Sequence, residues 1–171
     1  KGQDTCELFF DDVRVPVSNL LGTQEGQGFY QLMNQLGRER LIIGLSGVST
    51  MENAVRVTTD YVKQREAFGQ KLVDFQNTKF TLVECKTEAH IARVFIDHCI
   101  ALLIRGELDA ATASMAKYWC SDKAFDISHR CLQLHGGYGY TLDYPIAHYF
   151  ADTRVASIYG GSNEIMKELI S

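Results

Sequence analysis

Five apolar residues recur at every seventh position of this chain: Phe75, Leu82, Ala89, Ile96 and Leu103. Cys85, Ala92 and Cys99 follow three residues after the inner members of that series. A seven-residue apolar repeat is the seam of a helix packed lengthwise on others. It predicts a helix over about 74–104, ended by Gly106, inside a helical bundle. Only two prolines occur in 171 residues, so long helices meet few interruptions.

The rest of the chain reads the same way. Phe29, Leu32, Leu36, Ile43, Val55 and Val62 follow a 3.6-residue period with gaps, predicting a helix from Phe29 to about Arg65. Gly37, Gly44 and Gly47 weaken its first half and admit close packing against the backbone. Residues 65–72 (R-E-A-F-G-Q-K-L) read as a loop. Ala113, Ala116, Cys120, Ala124, Ile127, Cys131 and Leu134 step by three or four, predicting a third helix over about 109–134. Gly136–Tyr140 breaks it. Pro145 suits the first turn of a shorter helix ending before Gly160, and Ser162 is a good N-cap for a last one. Long helices with short links predict an all-α fold, an antiparallel four-helix bundle with an extra short helix. Ahead of it, Cys6–Val15 has strand composition closed by Pro16. A lone strand is not stable, so it is assigned to a preceding sheet. The expected division is 1–24, last strand and connection of a β domain, and 25–171, helical domain. The chain starts without Met and stops in a helical pattern, so it is read as a piece of a longer protein.

Composition excludes several classes of function. The net charge is −4 with no Lys/Arg block, which argues against nucleic-acid binding. No apolar run reaches membrane-spanning length. The five cysteines form no C-x-x-C pair; four fall on apolar helix stripes and are expected to be reduced core residues. No His/Cys cluster has metal-ligand spacing. Walker, Rossmann and Ser/His/Asp patterns are absent.

Four places could carry chemistry. Ile158–Leu169 (I-Y-G-G-S-N-E-I-M-K-E-L) places two glycines before a capped helix. Gly160 and Gly161 permit close ligand approach, and backbone N–H groups at such a corner bind anions or acyl oxygens. Glu39 lies between Leu36 and Ile43 on an apolar stripe, where a carboxylate must be paired, solvated by a cleft or perturbed; the alternative is an ion pair with Arg38 or Arg40. Arg65 and Phe68 offer a phosphate-binding fork and a stacking face, or else plug the bundle end; Gln76 is ordinarily solvated. Gln133–Gly137 (Q-L-H-G-G) ends the third helix with tandem glycines, and His135 alone reads as a helix-end histidine.

Taken together, L-F-F-D-D-V-R-V-P at 8–16, R-E-A-F-G-Q at 65–70, Q-L-H-G-G-Y-G-Y at 133–140, D-T-R at 152–154 and I-Y-G-G-S-N-E-I at 158–165 resemble the C-terminal domain of the acyl-CoA dehydrogenase family. The long-chain members are the nearest subgroup, through D-A-A-T-A-S-M-A-K-Y-W at 109–119 and Y-G-G-S-N-E-I-M-K-E-L-I at 159–170. The resemblance implies flavin adenine dinucleotide (FAD) as cofactor. Arg65, Phe68, Gln76, Gln133, Leu134, His135, Gly136 and Gly137 would serve its adenine-diphosphate part in a neighbouring subunit. Ser162 and Glu164 would touch it at the last helix. Most members carry the catalytic carboxylate after the Tyr of the last motif, where this chain has Gly160. A minority place it on the first long helix, and Glu39 matches that position. The implied reaction is α,β-dehydrogenation of a long-chain acyl-CoA, with Glu39 as base. Arg40, Gly160 and Gly161 would hold the thioester. Electrons would pass to an electron-transfer flavoprotein, in a homotetramer or homodimer of the bacterial cytoplasm or mitochondrial matrix. The rivals are an oxygen-using acyl-CoA oxidase and, for this piece alone, a non-catalytic helical association module.

Overall fold

The computed structural model describes residues 6–171 and contains five α-helices. They are α1 (Gly28–Gln64), α2 (Gln76–Arg105), α3 (Ala110–His135), α4 (Pro145–Thr153) and α5 (Asn163–Ile170). Each boundary has a local cause. Gly106 adopts a left-handed φ of 72° and returns its N–H to Leu102 and Leu103, closing α2. The Asp109 carboxylate accepts the Thr112 N–H at 2.7 Å, opening α3. Pro145 occupies the first turn of α4, and the Ser162 hydroxyl accepts the Ile165 N–H to open α5.

Sequence-adjacent helices run antiparallel, so α1 and α3 run in the same direction. The register shows this: Gly44 faces Ala116, Gly47 faces Cys120, and Tyr61 stacks on His135. A Cβ at Gly47 would lie 2.8 Å from the Cys120 carbonyl oxygen, and one at Gly44 would lie 2.9 Å from that of Ala116. These two glycines let the helices touch backbone to backbone; Gly37 meets nothing comparable. The core between the helices contains Leu41, Val48, Met51, Val55, Cys85, Ala89, Ile96, Cys99, Cys120, Ile127 and Cys131. The seam of α2 is therefore buried as expected except at its ends, where Phe75 is half-buried and Leu103 partly exposed. The four helical cysteines are buried and unpaired in disulfides. In place of a fourth long helix, α4 packs across α1 and α3, and α5 packs on α3.

Two expectations about the helical domain need correction. Ahead of it, Cys6–Val15, assigned to a preceding sheet, pairs with no strand among the described residues, and Leu8, Phe9 and Phe10 are exposed. Residues 1–5 of the expected β segment lie outside the described residues. The stretch 65–72 is more than a loop. It contains a two-residue hairpin, β1 (Glu66–Ala67) against β2 (Gln70–Lys71), turning at Phe68 and Gly69. Finally, the apolar stripe of α1 does not continue to its start, since Phe29 and Leu32 are exposed. The register places the start of α3 beside residue 38 of α1. Roughly ten residues of α1, about 15 Å at 1.5 Å per residue, therefore overhang the bundle.

Candidate functional site

Glu39 stands where α1 emerges from the bundle. It is exposed rather than core-facing, and Arg40 takes the buried place instead, at 8% exposure. Glu39 stands at the edge of the overhang, on a side of α1 that no other helix covers. No ion pair with Arg38 or Arg40 forms, and Glu39 has no hydrogen-bond partner among the described residues. Arg40 is also unsatisfied. Its Nε is buried without an acceptor, an arrangement that ordinarily costs stability.

The Gly160–Gly161 turn lies against the same stretch of α1. Both glycines have left-handed backbone, with φ of 66° and 92°. A Cβ built at Gly160 would collide with Cδ1 of Ile43, one turn after Glu39. Any side chain here would thus need both a disfavoured φ and a displaced Ile43. Ser162 follows as N-cap. Glu164 is held below the ordinary carboxylate range by its own backbone N–H, then by the Ser162 hydroxyl.

Behind the turn lies a residue that sequence reading passed over. Lys117 is 0% exposed, the largest fully buried side chain of the bundle. Its Nζ donates to the Gly161 carbonyl and to Oδ1 of Asn163, both at 2.7 Å. Burial pulls its pKa down; the nearby carboxylates of Asp122 and Glu164 oppose this, and the Arg40 charge adds to it. Asn163 in turn donates to Asp122 at 2.7 Å and to the Ser121 hydroxyl at 3.0 Å. The available signal was Lys117 falling one residue after Ala116 on the stripe of α3, inside a stretch already singled out. A cleft of about 430 Å³ adjoins this turn, lined by Asp122 and Phe125 of α3 and by Arg154, Ser162 and Glu164 among others. Glu39 does not line it.

The other group of expected site residues gathers at the opposite end. Arg65 and Glu39 are separated by about 40 Å along α1 at 1.5 Å per residue. Arg65 is exposed and its guanidinium lies 5.4 Å from the Tyr138 ring centroid. Phe68 is 97% exposed and carries a φ of 53°, so the hairpin turn holds a non-glycine residue in left-handed backbone to present its ring outward. A bulky residue there is a strained outlier. Gln76 and Gln133 are exposed, Leu134 is half-buried, and Gly136 and Gly137 face solvent. His135 points inward. It is buried, stacks on Tyr61 with centroids 4.2 Å apart, and its Nδ1 lies 3.0 Å from the Cys131 carbonyl. Burial pushes its pKa down, partly opposed by that carbonyl. Its ring packs between Tyr61 and Tyr144, beneath the turn that Gly136 begins.

Residues 26–171 match the family model "Acyl-CoA dehydrogenase, C-terminal domain". The chain belongs to the acyl-CoA dehydrogenase family. It is 50% identical over its full length to the long-chain specific acyl-CoA dehydrogenase of Rattus norvegicus mitochondria, covering 40% of that protein. Its fold matches the crystal structure of acyl-CoA dehydrogenase from Geobacillus kaustophilus with a TM-score of 0.90 and 42% identity, over 95% of this chain and 42% of that one. A structure described as the electron transferring flavoprotein of Acidaminococcus fermentans matches with a TM-score of 0.88 and 34% identity, over 94% of this chain and 42% of that one. The chain thus spans about two fifths of the length of the relatives it matches. Among the described residues no helix is long and apolar enough to cross a membrane, and no group of three or more metal-binding side chains occurs.

Proposed function

We propose that this chain is the C-terminal part of an FAD-dependent enzyme that dehydrogenates long-chain acyl-CoA thioesters at Cα–Cβ, with Glu39 as the base. In this reading residues 1–24 belong to a preceding β domain and 25–171 to the helical domain. One observation carries it: Ile43, a turn beyond Glu39, closes over Gly160, so the unpaired carboxylate and the glycine turn share one wall.

The chemistry follows from that arrangement. Glu39 accepts the α-proton of the thioester. Negative charge develops on the thioester oxygen, and the Gly160 N–H is the proposed donor to it. An acyl chain lying over Glu39 excludes water and strengthens the carboxylate as a base. Arg40 holds the substrate beside it. FAD, when bound, supplies the acceptor for the hydride leaving Cβ.

Two features support the cofactor. Phe68 presents an exposed ring suited to stacking, and the exposed Arg65 on the same turn suits a diphosphate. Because Arg65 and Glu39 lie at opposite ends, one FAD draws on two copies of the chain, which requires a homodimer or homotetramer. Long-chain specificity rests on the Rattus relative. Electron-transfer flavoprotein is the proposed electron acceptor, consistent with the Acidaminococcus match.

In the full-length protein, Glu39→Gln lowers turnover of a long-chain acyl-CoA by about 10²–10⁴-fold, the usual range for a general base, while flavin absorbance stays. Turnover unchanged in that variant overturns the assignment. Oxygen serving as well as an artificial electron acceptor would favour the oxidase alternative.

A further inference from the structure

We infer that Lys117 is a positioning residue for the Gly160–Glu164 turn, setting from inside the bundle the direction in which that turn presents its backbone. The inference rests on the proposed role of the turn as cofactor and thioester cradle. Lysine is among the residues least often fully buried, and a methionine of similar length would fill the same space without desolvating an ammonium. Lys117 nevertheless sits at 0% exposure with two acceptors at 2.7 Å. Both acceptors lie on the segment that begins α5, more than forty residues away in the chain.

The geometry says what those bonds do. A trans peptide holds its C=O and N–H in opposite directions. With the Gly161 carbonyl drawn inward onto Lys117, the Ser162 N–H of the same peptide points away from α3. Gly160 and Gly161, lacking Cβ atoms, have freer backbones than other residue types, so nothing intrinsic selects that orientation. The second bond fixes Asn163, the first residue of α5, and Asn163 is pinned again by Ser121 and Asp122. At eight residues α5 is too short to order itself. Met166 anchors it by packing, being fully buried, but apolar packing does not fix the direction of a peptide plane.

The test is Lys117→Met in the full-length protein, read by amide hydrogen exchange and by steady-state kinetics. Expected is a roughly tenfold or greater rise in exchange at residues 160–165, with the core amides of α1, α2 and α3 unchanged. With acyl-CoA as substrate, kcat falls roughly tenfold or more while KM stays within about threefold, because an interaction realised in the transition state is lost. Lys117→Gln is the second variant. It keeps a donor but cannot span both acceptors, so the same exchange pattern is expected if Lys117→Met does not fold. Unchanged exchange at 160–165 in a folded variant overturns the inference, as does unchanged kcat in an active protein. If the unsubstituted protein neither binds flavin nor turns over, the proposed function fails instead. Exchange at 160–165 then decides alone whether Lys117 orders the turn.

Discussion

The two ends of this bundle are held together by different physics. At the end bearing Glu39, hydrogen bonds tie the Gly160–Glu164 turn to α3: the buried Lys117 donates to Gly161 and Asn163, and the buried Asn163 donates back to Asp122. At the end bearing Arg65, stacked rings dominate: Tyr61 on His135, with Tyr144 edge-on to both and Tyr138 beside Tyr144, and the Tyr61 hydroxyl adds one bond to the His135 carbonyl at 3.3 Å. Hydrogen bonds fix the direction of individual peptide groups; ring packing fixes only the position of a surface. Backbone donors are therefore oriented at the first end. At the second, the exposed side chains of Arg65, Phe68 and Gln133 are carried on a firm base. That division suits the proposed function, in which the first end meets reacting atoms and the second meets a cofactor held by another copy.

Arg65→Met should separate the two ends most sharply. On the proposed reading it removes a charge-assisted contact worth about 1.5–3 kcal/mol, lowering flavin affinity roughly tenfold to a hundredfold in the full-length protein. Because Arg65 is exposed, the unfolding midpoint should hardly move. A large loss of stability with full flavin affinity would mean that Arg65 belongs to the packing of its end. Between the ends, Gly47→Ala should destabilise by about 1–3 kcal/mol through overpacking against the Cys120 carbonyl, measured by urea unfolding. The matching change Gly37→Ala, in open space on the overhang, should instead stabilise by about 0.5–1 kcal/mol. Equal effects at both positions would break the α1–α3 register.

His135 gives the smallest and most local effect. Its pKa is lowered from 6.5 in the folded protein, so below that value the unfolded chain binds more protons and stability falls as pH falls. Stability should decline from pH 6.5 towards about pH 5, above the window in which the contribution of the lowered carboxylates Glu52, Asp109 and Glu164 is lost. His135→Phe keeps a ring for Tyr61 and should flatten the profile over that interval. A profile that keeps its slope would place the acid sensitivity elsewhere.

Much of the fold was legible in local signals. The heptad of α2, Asp109 ahead of α3, Pro145 at the start of α4 and Ser162 before α5 each act on their own neighbourhood. The close-packing role of Gly44 and Gly47 was also legible, although their partner was not. Glu39 shows the limit. Its place between Leu36 and Ile43 suggested a core-facing carboxylate, but orientation along an overhanging helix depends on where the neighbouring helix begins. Lys117 shows the limit from the other side. A lysine near an apolar stripe reads as surface, and only the arrival of Gly161 and Asn163 beside it makes burial tolerable.

The sequence by itself determined which segments are helical, where they start and stop, and the family to which the motifs point. Periodicity, caps and glycine freedom are properties of a few consecutive residues. Tertiary structure decided the rest: that Glu39 is exposed, that Ile43 closes Gly160, that Lys117 holds Gly161, and that Arg65 lies at the far end from Glu39. Each depends on the register between helices distant in the chain, and that register is set by the close contact of α1 and α3.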